Sequence, residues 1–112
     1  MEIQEKYHGE STIVDLVGKL DASTTPVVEA RIIKMIQEGK KYLILDFGKV
    51  TYLASSGLRM LLLVVRQIQK LEGSLVLCTL TPTMLDTLEV TGFLPYFKLA
   101  SSTEEALKLS LD

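Results

Sequence analysis

The sequence predicts an α/β fold, a single domain over residues 1–112 with a mixed, mostly parallel sheet of about 4–5 strands and about four helices. Short runs of Val, Ile and Leu alternate with segments whose apolar residues recur every three or four positions, the pattern of strands followed by helices. Helix-start and helix-stop residues stand between them: Thr25-Pro26 with Gly39, then Thr81-Pro82 with Gly92. A chain of 112 residues is long enough for one core and too short for a catalytic domain plus a regulator.

Each element follows from local pattern. Ile3 to Tyr7 and Thr12 to Val17 read as strands joined at His8-Gly9-Glu10, a hairpin that forms an antiparallel edge. The second strand delivers Gly18-Lys19-Leu20-Asp21 at its carboxyl end. A helix capped by Thr25 runs through Val28, Ile32, Ile33 and Ile36 to Gly39. Tyr42 to Asp46 is the central strand, and after a short turn Ser55-Ser56-Gly57 opens a helix that ends near Gly73. Ser74 to Cys78 gives the next strand, Thr81-Pro82 starts a third helix, and a short strand lies near Phe97 to Leu99. Ser102-Thr103-Glu104-Glu105 has the S-x-x-E form of a capping box and starts a terminal helix through Ala106, Leu107 and Leu109. Strand–helix alternation implies right-handed parallel crossovers, with the functional crevice beyond the carboxyl ends of the strands. Asp21 and Ser55 both follow such ends, so topology places them on one surface.

Composition excludes several function classes. Twelve basic and 14 acidic residues give a net charge of −2, which does not advertise nucleic acid. One cysteine rules out an intramolecular disulfide, and Cys78, inside an apolar strand, reads as a buried small residue. The sole histidine, His8, reads as a solvated turn residue, so a metal site or a Cys/His or Ser/His pair has little to be built from. Met1-Glu2-Ile3-Gln4-Glu5 lacks the basic and apolar regions of a signal peptide, making a cytoplasmic location the expectation. The apolar run Met60 to Val65 falls far short of the roughly 20 residues a membrane span requires.

The serine pair opening the second helix is the most informative feature. Ser55 or Ser56 at the N-cap would accept a backbone N–H bond, and the positive end of the helix dipole favours a phosphate there. An ordinary capping pair has the same local pattern. Gly57 would allow close approach of another protein's backbone. Winding the helix at 100° per residue puts Leu58, Leu61, Val65 and Ile68 on one stripe and Arg59, Arg66, Gln67 and Lys70 opposite. Leu63 falls among the polar residues and Met60 at the margin, so both are candidates for apolar contact beside a basic stripe. Arg59, four residues after Ser55, either reaches a phosphate or is solvated.

Val50-Thr51-Tyr52-Leu53-Ala54-Ser55-Ser56-Gly57-Leu58, preceded by Leu45-Asp46 and, upstream, by Gly18-Lys19-Leu20-Asp21, resembles the signature of the STAS domain, the family of anti-sigma factor antagonists. The resemblance covers the whole chain and implies a STAS-like fold. It implies that Ser55, with Ser56 as runner-up, is phosphorylated by a partner that is both anti-sigma factor and serine protein kinase, and that a PP2C-type phosphatase resets it. The implied partner-binding surface comprises Asp21, Ser23, Thr24, Ala54, Ser55, Ser56, Gly57, Arg59, Met60 and Leu63. The family commonly carries Asp before the serine, whereas Ala54 stands here. No catalytic residue, cofactor or metal is implied. Two rivals remain: a non-phosphorylated STAS scaffold subunit of a signalling assembly or lipid-transport complex, and a small nucleotide-binding protein or enzyme. The second has no G-x-x-x-x-G-K-[ST] or G-x-G-x-x-G loop and would rest on Asp21 and Asp46 as an acid/base pair.

Overall fold

The computed structural model describes residues 1–111, and among them five strands form one sheet in the order β1-β2-β3-β4-β5. The strands are β1 (Glu2–His8), β2 (Ser11–Leu20), β3 (Tyr42–Leu53), β4 (Ser74–Cys78) and β5 (Lys98–Ala100). The α-helices are α1 (Thr25–Gln37), α2 (Ser55–Lys70), α3 (Pro82–Val90) and α4 (Thr103–Ser110), and Leu94–Tyr96 forms a single 3-10 turn. β1 is antiparallel to β2, turning at Gly9 with φ +60°, and the other neighbours are parallel. This is the mixed, mostly parallel α/β sheet that the alternating pattern predicts.

Two strands outrun their apolar patterns. β2 continues through Gly18 and Lys19 to Leu20, and β3 continues past Asp46 to Leu53. The expected end at Asp46 is therefore corrected. Gly48 and Lys49 are both exposed and break the two-residue alternation that marks a strand. The register shifts between Asp15 and Val17 and between Gly18 and Lys19, so the ladder absorbs the break as bulges. Asp46 Oδ1 accepts the Gly48 amide at 2.8 Å inside the first of these irregularities.

Alternation along the strands divides the core. Val14, Leu16, Leu43, Leu45, Phe47, Leu75 and Leu77 meet Val28, Ile32, Leu61, Val64, Ile68 and Leu88 of α1, α2 and α3. The opposite face offers Ile44, Val76 and Cys78 to Ala106 of α4. Cys78 is fully buried, and burial pushes its thiol up to about 11, so it is packed as an apolar residue with little thiolate at neutral pH. Buried hydroxyls tie α4 down: Ser11 Oγ donates to Ser110 Oγ at 3.0 Å, and Ser74 Oγ donates to the Ser110 carbonyl.

Helix ends explain most element boundaries. Thr81 Oγ1 accepts the Met84 amide at 3.2 Å, and Ser102 Oγ accepts the Glu105 amide at 3.1 Å as the capping-box spacing predicts. Helix α1 differs from expectation: Thr24 is the N-cap, and Thr25 is already helical, its hydroxyl donating to the Asp21 carbonyl at 2.6 Å. Gly39 at φ +91° and Gly92 at φ +78° close α1 and α3 in left-handed conformations. Among the described residues no helix is long and apolar enough to cross a membrane.

Candidate functional site

The carboxyl ends of β2 and β3 stop side by side. Leu20 pairs with Leu53, and the Ala54 amide donates to the Leu20 carbonyl at 2.9 Å, binding the β2–α1 loop to the start of α2. Asp21 organises that loop. Its Oδ1 accepts from the Ser23 hydroxyl at 2.8 Å, the Ser23 amide at 3.0 Å and the Thr24 amide at 3.1 Å. The Asp21 amide in turn donates to Thr24 Oγ1 at 2.9 Å, and that hydroxyl donates to the Lys19 carbonyl at 2.7 Å. These bonds, led by the Ser23 hydroxyl, hold the Asp21 carboxyl below its usual range. A lowered carboxyl contributes stability above the ordinary Asp value of about 3.9. That contribution is lost as pH falls through the lowered value, so Asp21→Asn is expected to flatten the acid limb of a stability–pH curve measured by thermal melting.

The second half of the site is the first turn of α2. The expectation that a serine would cap this helix is corrected: Ala54 is the N-cap, with φ −84° and ψ 168°, and Ser55 and Ser56 are the first helical residues. The longer β3 leaves only Ala54 between strand and helix. The Gly57 and Leu58 amides both turn back to the Ala54 carbonyl, at 3.0 and 3.2 Å. The helix therefore starts without a side-chain cap and without an acidic residue in its first turn. Ala is among the poorest N-caps, and the backbone already has N-cap geometry. Ala54→Asp is accordingly expected to raise stability by about 1 kcal/mol, read as a higher urea midpoint at unchanged slope.

The two serines have different surroundings. Ser55 is exposed, whereas Ser56 is half-buried with its Oγ 3.4 Å from Thr25 Oγ1. Thr25 thus links the two halves, touching Ser56 while bonded to the Asp21 carbonyl. The local pattern marks this threonine only as a cap, and its cross-loop contact has no local sequence signal.

Two further expectations are corrected. Gly57 does not serve a partner's backbone, because its missing side chain faces inward. A Cβ there would lie 2.8 Å from Leu53 Cδ1 and 3.0 Å from Leu20 Cγ. Alanine gains about 1 kcal/mol over glycine in a helix, but overpacking costs about 1–3 kcal/mol, so Gly57→Ala is expected to destabilise by about 1 kcal/mol in urea melts. Met60 is 1% exposed, packed in the core beneath the exposed face of α2. The wheel underestimated the buried arc because α2 packs on both the sheet and α1. Ser23, Arg59 and Leu63 are exposed as a docking surface requires, and Asp21, Thr24 and Ala54 are partly so.

The remaining candidates lie elsewhere. Asp46 pairs with Asp15, six residues before Asp21 along β2, which places it about 20 Å from the Asp21 end and rules out an acid/base pair there. It lines a cleft of about 340 Å³ with Lys6, Asp15, Lys49, Thr79 and Thr103 on the α4 side. His8 pairs with Ser11 at the hairpin and is exposed at the other end of β2.

An exposed serine at a strand-to-helix junction, beside an Asp-ordered loop on a five-stranded mixed sheet, marks one end of a small α/β domain. Residues 2–106 match the STAS domain, and the chain belongs to that family. It is 36% identical over 94 residues to BtrV of Bordetella bronchiseptica, which its name assigns to the anti-sigma factor antagonists, covering 84% of this chain and 81% of the relative. An anti-sigma factor antagonist from Mycobacterium paratuberculosis superposes with a TM-score of 0.90 at 23% identity, covering 99% of this chain and 94% of that one. The Bacillus cell-fate determinant SpoIIAA in its phosphorylated form superposes with a TM-score of 0.76 at 24% identity, covering 96% of this chain and 99% of that one.

Proposed function

We propose that this protein is an anti-sigma factor antagonist acting by partner switching. The unmodified chain docks its Ser55 surface onto a kinase-type anti-sigma factor and frees a sigma factor. That partner then phosphorylates Ser55, which ends the association, and a PP2C-type phosphatase restores the serine. The protein is a non-catalytic binding module in this scheme, since the kinase supplies ATP and magnesium.

The observation that carries the reading is the position of Ser55. Its hydroxyl is exposed on an uncapped helix N-terminus beside the Asp21 loop, while Ser56 contacts Thr25. The Ser55 and Ser56 amides precede the first intrahelical bond, which Gly57 makes to Ala54, and the helix dipole favours added negative charge at this end. Phosphate is therefore tolerated by the fold and is free to act on the interface. The family name of BtrV and the existence of a phosphorylated form of SpoIIAA support the same reading.

Incubation with the candidate anti-sigma kinase and Mg-ATP, followed by mass spectrometric mapping, tests it. One phosphate on Ser55, absent in Ser55→Ala, is the expected result. Phosphate on Ser56 would move the acceptor. No transfer by a kinase active on another substrate would favour a constitutive STAS scaffold, the role compatible with Ala54 in place of Asp.

A further inference from the structure

The exposed face of α2 carries a pattern that the Ser55 switch alone does not use. Winding at 100° per residue places Arg59, Leu63, Arg66 and Lys70 within about 60° of one another, in a line about 16 Å long. All four are exposed, and Leu63 retains 46% of its surface. Ser55 lies one turn before Arg59 and continues the same line. The helix holds three cations and no Asp or Glu, although acidic residues outnumber basic ones 14 to 12 in the chain. Among the described residues, none of these three cations is within ion-pair distance of a carboxylate, whereas Lys6, Arg31 and Lys40 each are.

From this unneutralised stripe, resting on the proposed function above, we infer that the solvent face of α2 docks an acidic segment of the anti-sigma factor, with an apolar side chain of that segment set against Leu63. Charge complementarity selects the occupant. The stripe is single-signed on a net acidic protein, so a partner segment rich in Asp and Glu is steered to it. One exposed leucine among three cations gives direction and register but too little apolar area to insert into a lipid bilayer, where an interfacial helix presents a whole apolar face. Long side chains on a helix lean toward its N-terminus, and Arg59, one turn after Ser55, is spaced to meet a phosphate there. A phosphate on Ser55 would then compete with the partner's carboxylates for Arg59, which couples the stripe to the switch.

The test measures binding of the full chain to the anti-sigma factor by calorimetry without nucleotide, at about 50 and about 300 mM salt. The variant is Arg66→Glu with Lys70→Glu, about 16 and about 22 Å along the helix from Ser55. It should melt at the wild-type temperature, bind at least tenfold more weakly at low salt, and lose most of the salt dependence. Leu63→Ala should weaken binding without altering the salt slope. Wild-type affinity and salt slope in the folded double variant would overturn the inference while leaving the Ser55 reading intact. Failure of the wild-type chain to bind would remove that reading and this inference together. Wild-type retention on vesicles containing about one quarter phosphatidylserine, or on duplex DNA, lost in the double variant with anti-sigma binding kept, would reassign the stripe.

Discussion

Gly73→Ala is expected to destabilise the fold by about 3 kcal/mol, lowering the melting temperature by roughly 10–20 °C. The reason is space. A Cβ at Gly73 would collide with the Lys41 carbonyl oxygen and lie 2.7 Å from Lys41 Cβ and 2.9 Å from its carbonyl carbon. Those are chiefly backbone atoms, and the same carbonyl accepts the Ser74 amide at 2.9 Å where β4 begins. Relief would therefore separate β3 from β4. The end of α2 makes the demand specific to this position. The Gly73 amide bonds to Ile68 and the Glu72 amide to Gln69, the two bonds of a Schellman motif, and the left-handed residue is Glu72 at φ +59°. Glycine thus stands one place after the usual left-handed position. Glu72→Gly should be tolerated where Gly73→Ala is not, and thermal melts of the pair distinguish space from backbone conformation.

Phosphorylation of Ser55, or Ser55→Asp as its mimic, is expected to reduce affinity for the anti-sigma factor by at least two powers of ten while leaving the melting temperature nearly unchanged. The free protein gains from added charge at the α2 N-terminus by about 0.3–1 kcal/mol. In a desolvated interface, the −1.5 to −2 charges of a phosphate cost several kcal/mol unless they are paired. A tenfold change in affinity corresponds to about 1.4 kcal/mol, so the interface term dominates. Calorimetric titration alongside a thermal melt separates the two effects. A fall in both affinity and stability would point instead to damage at the β3–α2 junction.

Much of this architecture is legible from residues whose cause is local. Thr81, Ser102, Gly39 and Gly92 act through hydrogen bonds and backbone conformations only a few residues wide, and they mark helix ends correctly. Placing Asp21 and Ser55 on one surface needed only strand order, and the Leu20–Leu53 pairing delivers it. What escaped depends on contacts distant in sequence. The tail of β3 is held by β2 across bulges, so Gly48 and Lys49 interrupt its pattern without interrupting its pairing. That added length moved the cap from the serines to Ala54. Gly57 and Met60 read as surface positions in the sequence, and only packing against Leu20, Leu53 and the neighbouring helix turns them inward. The Asp21 hydrogen-bond cluster is likewise only a loop landmark in the sequence.

Sigma-factor release tests partner switching. A preformed complex of the anti-sigma factor with fluorescently labelled sigma factor is mixed with the unmodified chain or with the chain carrying phosphoserine at position 55, and anisotropy follows the label. Partner switching predicts that the unmodified protein lowers the anisotropy to that of free sigma factor while the phosphorylated protein leaves it unchanged at the same concentration. Equal release by both forms, or release by neither, would contradict it.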